Sequence, residues 1–137
     1  MNEQKAEKVV AVAGRGWQVN LKDGGCVFVA RLPRTTVFDI ITAANYTGDF
    51  ASATRLRELK VRTAVRSVEG ITRPKLDEFG APLNGEMFTF SLRMTREPRL
   101  AGREIASREL LEVLDAEDLD AIEDTADGRL NAGQTGN

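Results

Sequence analysis

The amino-acid sequence predicts an α+β protein, a small N-terminal antiparallel β-hairpin or sheet packed against a bundle of about four helices. Three observations predict it. Apolar residues alternate on both sides of Asp23-Gly24-Gly25; no Gly or Pro interrupts the chain from Ala51 to Val68; and leucines recur at helical spacing among the carboxylates that follow Ser107. With 137 residues there is room for one domain with a modest core. The domain is placed at residues 9–127, with a hairpin region at 9–32 and a mainly helical region at 35–127 broken by a loop at 72–86. Residues 1–8 read as a flexible N-terminus and residues 128–137 as a small, polar, disordered tail.

The elements follow in order. Val9, Val10, Val12 and Ala13 form a short apolar run closed by Gly14-Arg15-Gly16. Trp17, Val19 and Leu21 alternate with Gln18, Asn20 and Lys22, Asp23-Gly24 marks a hairpin, and Val27 and Val29 alternate on the return. A hairpin alone is marginal in water, so one face must be covered. Pro33 ends the sheet, Thr35 or Thr36 can cap a helix carrying Val37, Ile40, Ile41 and Ala44, and Gly48 offers a left-handed stop.

From Ala51 to Val68 a helix of about five turns is expected. Ala53, Leu56, Val61, Ala64, Val65 and Val68 share its apolar half, while Arg55, Glu58, Arg62, Arg66 and Glu69 form a solvated half. Leu59, Val61, Thr63, Val65 and Ser67 also alternate, so a strand reading competes, and length favours the helix. Pro74, Gly80, Pro82 and Gly85 punctuate the next loop. From Met87 to Met94, Phe88, Phe90, Leu92 and Met94 alternate as a strand would; the same residues could open a helix, or belong to a segment ordered by a partner, and Pro98 ends either element. Ser107 can cap a helix with Leu110, Leu111 and Leu114, and Asp115 with Asp118 can cap another with Leu119 and Ile122.

Composition narrows the chemistry. Histidine is absent and Cys26 is the single cysteine, which removes Ser-His and Cys-His nucleophiles, the usual zinc sites and any internal disulfide. No metal or cofactor is therefore expected, and a non-enzymatic role is favoured. No apolar run reaches membrane-spanning length, and the polar N-terminus is unlike a secretory signal, so a cytoplasmic location is expected. Net charge is −2 but polarised. Seven cations face two acids from Arg55 to Lys75, and nine acids face two cations from Arg103 to Asp124. Such polarity suits self-docking in a homo-oligomer, or a partner.

Each candidate site has a plain alternative. Gly14-Arg15-Gly16 lacks the third glycine and following helix of a phosphate loop and reads as a turn. The basic face Arg55, Arg62, Arg66 could meet phosphates, but no aromatics interleave it, and a solvated face or an internal partner for the acidic helices fits better. Asp115, Glu117, Asp118, Asp120, Glu123 and Asp124 lack calcium-loop spacing and read as caps and solvation. Cys26 reads as a buried, inert thiol, and Trp17, Phe28, Phe88 and Phe90 read as core before a base-stacking platform.

The succession VFVARLP, TTVFDIITAA, RTAVRSVEGI, LDEFGAPL and ELLEVLDAEDLDAI resembles the tail assembly chaperones of long-tailed bacteriophages, over about Val27 to Ile122. The stretch EMFTFSLRMTREPR and the length of the N-terminal hairpin depart from that pattern. The resemblance implies a protein of the host cytoplasm that keeps the helical tape measure protein soluble and helps recruit tail tube subunits. Leu110, Leu111, Leu114, Leu119 and Ile122, ringed by carboxylates, would then offer apolar surface, with Phe88 and Phe90 offering more. Residues so spaced are more usually ordinary core. The rivals are a structural subunit of a virion tail, neck or baseplate, joined through a free sheet edge, and a small nucleic-acid-binding regulator using Arg55, Arg62 and Arg66.

Overall fold

The computed structural model describes residues 7–129. Four strands, β1 (Val9–Val12), β2 (Gly16–Asn20), β3 (Cys26–Val29) and β4 (Val65–Glu69), form an antiparallel sheet in that order. The β2–β3 hairpin turns where Asp23-Gly24-Gly25 predicts, with both glycines left-handed. Val9, Val19, Val27 and Val68 lie in register across the sheet, and Ala11, Trp17, Val29 and Val65 form the next row on the same face. That face meets α2 (Phe50–Ala64) and α3 (Ala116–Ala126), where Val61, Ala64, Ile122 and Ala126 close the core. Each fully buried aliphatic side chain contributes about 1.5–3 kcal/mol.

Strand β3 is buried on its other face too. Phe28 lies beneath Arg15, whose guanidinium carbon sits 3.6 Å from the ring centroid. Arg15 also reaches Glu69 across the sheet at 3.0 Å. The glycine-flanked arginine is thus a turn with a structural task, covering an aromatic that would otherwise face water.

The α+β class stands, with corrections to its parts. The helix expected to run unbroken from Ala51 to Val68 ends at Ala64, and Val65–Glu69 is strand β4. Strand β3 offers its free edge there, and pairing with it buries Val65 and partly covers Val68 over the valine rows, a tertiary gain that overrides local helix propensity. Ala53, expected on the buried half, is exposed, and Ser52 is buried instead. The sheet consequently gains a fourth strand from beyond the expected 9–32 hairpin region.

The helical layer comprises α1 (Arg34–Ala43), α2, α3 and two 3-10 turns, Pro98–Leu100 and Arg108–Val113. Helix α1 starts at Arg34 after Pro33, not at a threonine cap, and it ends before Asn45, which takes the left-handed φ of 53° ahead of Gly48. Ser107 makes no capping bond, whereas Asp115 and Asp118 form the expected capping box of α3.

The loop expected at 72–86 contains a hairpin of β5 (Pro74–Leu76) and β6 (Pro82–Met87). Asp77 turns it, its Oδ1 accepting from the backbone of Phe79 at 2.8 Å and Ala81 at 2.9 Å. Within the ambiguous Met87–Met94 segment, Leu92–Met94 is β7, paired with β8 (Glu104–Ala106). The expected flexible ends lie outside the described residues except at their inner limits. There Lys8 Nζ bonds Asp118 at 2.6 Å, and Arg129 pairs with Asp124 and Asp127.

Candidate binding surface

Burial decides which apolar residues can meet a partner. Leu110 and Ile122 are 0% exposed, and Leu114 is nearly so. Leu111, Leu119, Phe88 and Phe90 are half-buried and packed against the same cluster. The 3-10 turn and α3 fold these side chains inward, onto the core that Val61 and Ala64 share with the sheet. Leu110, Leu114 and Ile122 are therefore this protein's own core, as the ordinary reading of their spacing has it, and the partner-surface expectation is corrected for these three.

The acidic residues are engaged internally. Arg57 Nε donates to Glu123 at 2.8 Å, and its terminal nitrogen pairs with Asp120. Lys60, 7% exposed, holds Glu123 at 3.1 Å and Asp127 at 3.2 Å. Burial alone would push the Glu123 carboxyl up, but hydrogen bonds and charge from Arg57 and Lys60 prevail and hold it below the ordinary glutamate range. Asp118, 1% exposed, accepts from Lys8, from the Lys22 amide at 2.9 Å and from the Asp115 amide at 3.0 Å. Asp115 is itself held below the ordinary range, first by the Asp118 amide and then by Lys22. Among the described residues, no group of three or more ligating side chains is placed to hold a metal ion.

The expected basic face is dispersed among carbonyls. Arg55 Nε donates to Ala44 O at 3.1 Å, Arg62 Nε to Ala106 O at 2.7 Å, and Arg66 Nη1 to Glu104 O at 2.8 Å. The cations that serve the acidic C-terminal helix are instead Arg57 and Lys60. Glu58, expected on a solvated face, is largely covered between Arg62 and Arg108, with Nε of the latter 2.7 Å away. Cys26 is buried, and burial followed by the Glu69 charge pushes its thiol up, away from the thiolate form.

Apolar exposure lies where the sequence pattern did not direct attention. Of six phenylalanines, Phe38, Phe50 and Phe79 are exposed, by 58%, 87% and 88%, and Tyr46 joins them at 45%. Phe38, Tyr46 and Phe50 belong to α1, the α1–α2 connection and the first residue of α2. That connection is tightly built. Asp49 caps α2 by accepting from Ser52 N at 2.8 Å, and Ser52 Oγ accepts from Thr47 N at 3.1 Å. The aromatic rings project from fixed backbone. One signal was available: Val37, Ile40, Ile41 and Ala44 define the α1 stripe, and Phe38 stands about 100° from Val37 on the wheel.

No family model, curated protein or solved structure matches the chain. Among the described residues, no helix is long and apolar enough to cross a membrane.

Proposed function

We propose that this chain is a non-catalytic holder of another polypeptide, specifically a tail assembly chaperone that binds the tape measure protein and helps recruit tail tube subunits in the host cytoplasm. The observation that carries the reading is the exposure of Phe38, Tyr46 and Phe50 on one rigid helix–connection–helix unit. Aromatic rings left in water where the backbone is well capped are a feature of interaction surfaces. A long helical partner with an apolar stripe would cover such rings, in the manner of a helix laid against an apolar face. The order of elements that resembles the chaperone family supplies the specific identity of that partner.

The test is co-expression with the products of neighbouring genes, followed by pull-down and mass spectrometry. A long helical chain is expected to co-purify and to need this protein for its solubility. Phe38→Ser with Phe50→Ser is expected to lose that chain while leaving the melting temperature of this protein nearly unchanged, because both rings are exposed. Failure to recover any such chain overturns the reading.

A second reading, a structural subunit of the virion, is favoured by one observation. Strand β1 is an outer edge of the sheet, and Val10 is 38% exposed on it. Stoichiometric recovery of this chain from mature particles supports that reading against the first.

A further inference from the structure

We infer that the junction between β3 and α1 is a docking cleft for an acidic, apolar-containing polypeptide segment. The inference rests on the proposed role as a holder of another chain and adds the chemistry of the segment held. Two clefts flank the backbone at Ala30–Pro33, of about 580 Å³ and about 320 Å³. Among the described residues, Arg31, Arg34, Lys60 and Arg129 line the larger one with a single carboxylate, Asp127. Arg66 and Arg103 join Arg31 in the smaller one, again with a single carboxylate, Glu104. This concentration of positive charge sits on a protein whose net charge is −2.

The charges are not all spent. Lys60 and Arg129 are neutralised by Glu123, Asp124 and Asp127. Arg66 and Arg103 bond only neutral oxygens, Arg66 to Glu104 O and Arg103 to Thr36 Oγ1 at 3.1 Å. Neutral acceptors orient a guanidinium without cancelling its charge. Arg31 and Arg34 have no side-chain partner among the described residues. Among the described residues, four guanidiniums thus lack a carboxylate partner around the Ala30–Pro33 segment that both clefts share. Their positions are built in. The β4 bulge opposite Phe28 and Val29 leaves Arg66 unpaired in the ladder and exposed. Gly128 lets Arg31 lie directly on its backbone, since a Cβ there would stand 2.5 Å from Arg31 Nε.

Guanidinium forks match carboxylates and phosphates alike. The surroundings select between them. The cations are spread on both sides of the Ala30–Pro33 segment, so an extended chain reaches them all and a single small anion does not. Val37 and Phe38 wall the larger cleft, and Phe38 is 58% exposed there, which suits apolar side chains interspersed with the carboxylates. A nucleic-acid strand would want successive aromatic platforms, and among the described residues Phe38 is the one aromatic lining either cleft. Charge complementarity and apolar contact together favour the acidic peptide.

The test uses the full chain and a fluorescein-labelled peptide of glutamates and leucines, about twelve residues long, which spans roughly 40 Å when extended. Fluorescence anisotropy is expected to report binding that weakens with salt. Arg31→Glu with Arg34→Glu is expected to weaken it by about tenfold or more, whereas Arg96→Glu with Arg93→Glu, on exposed residues outside both clefts, changes it by less than about threefold. Circular dichroism verifies that each variant is folded, and the milder Arg31→Gln with Arg34→Gln is expected to lie between. No binding, equal losses in the two charge-reversed variants, or tighter binding of an oligothymidylate of the same length overturns the inference. Co-purification distinguishes this failure from failure of the proposed function. A helical partner still captured by the Arg31→Glu, Arg34→Glu variant removes the cleft alone, whereas peptide binding without any captured partner removes the chaperone reading alone.

Discussion

Gly25 and Gly70 show how tightly single positions constrain this sheet. Both take left-handed φ, 81° and 72°, where the β2–β3 turn passes the end of β4. A Cβ on Gly25 would lie 2.8 Å from Gly70 O and 2.8 Å from Ile71 Cγ1, so alanine there meets backbone that cannot swing away. Gly25→Ala is expected to destabilise by about 3 kcal/mol, measured by urea unfolding, with left-handed strain and the clash adding together. Gly24→Ala, with open space around it, is expected to lose only the strain component, about 1 kcal/mol. The core leucines are a sharper discriminator. Leu110→Asp places an unpaired carboxylate in a site of 0% exposure, and loss of cooperative thermal unfolding is expected. A variant that stayed fully folded would restore this leucine to the surface role its spacing also allowed. Burial of a leucine among carboxylates is not legible in the sequence, because the same spacing serves a core and a docking stripe.

At the level of elements, the legible parts are those with their own turn or cap chemistry. Asp23-Gly24-Gly25 fixes a hairpin, and Asp115 with Asp118 fixes the start of α3. The illegible parts are those decided by a distant partner. Val65–Glu69 becomes strand because β3 lies there to receive it, and Thr63, Val65 and Ser67 alternated as visibly as they fitted a helix. The β5–β6 hairpin was hidden by Pro74 and Pro82, which punctuate a sequence as loops do yet stand at strand starts. The α2–α3 contact carries a pH consequence. The Glu123 carboxyl is held below its ordinary range in the folded protein, so the unfolded chain takes the proton first. Its stabilising contribution is complete above the unfolded value of about 4.3 and is lost as pH falls through the lower folded value. Thermal melts are expected to show stability falling below about pH 4.5, and Glu123→Gln is expected to flatten part of that slope while lowering stability at neutral pH by about 2 kcal/mol. A slope identical in the variant would place the acid sensitivity elsewhere.

For the molecule as a whole, charge and aromatic exposure follow a division that linear order conceals. The runs of like charge in the sequence suggested that Arg55 to Lys75 would be the basic surface. Folding instead spends Arg57 and Lys60 on α3, pins Arg55 and Arg62 on carbonyls, and gathers Arg31, Arg34, Arg66 and Arg103 from distant segments around the start of α1. Phe38 belongs both to that cationic cleft and to the helical unit that exposes Tyr46 and Phe50. Phe38 is thereby the point at which an open aromatic ring meets guanidiniums that only neutral oxygens hold. A partner segment with acidic and apolar residues is expected to protect α1 and the start of α2 from amide hydrogen exchange while leaving β5 and β6 unchanged. Protection confined to the β5–β6 hairpin would shift the contact to Phe79.

The lone thiol gives this chain an internal clock. Cys26 sits 7% exposed in β3, the strand flanked on both sides by its sheet neighbours. A sulfhydryl reagent meets a thiol largely covered in the folded protein, so modification is expected to be slow and to follow opening of the β2–β3 turn or of the strand itself. Occupancy by a stabilising partner would slow that clock, with no label or added mutation needed to read it.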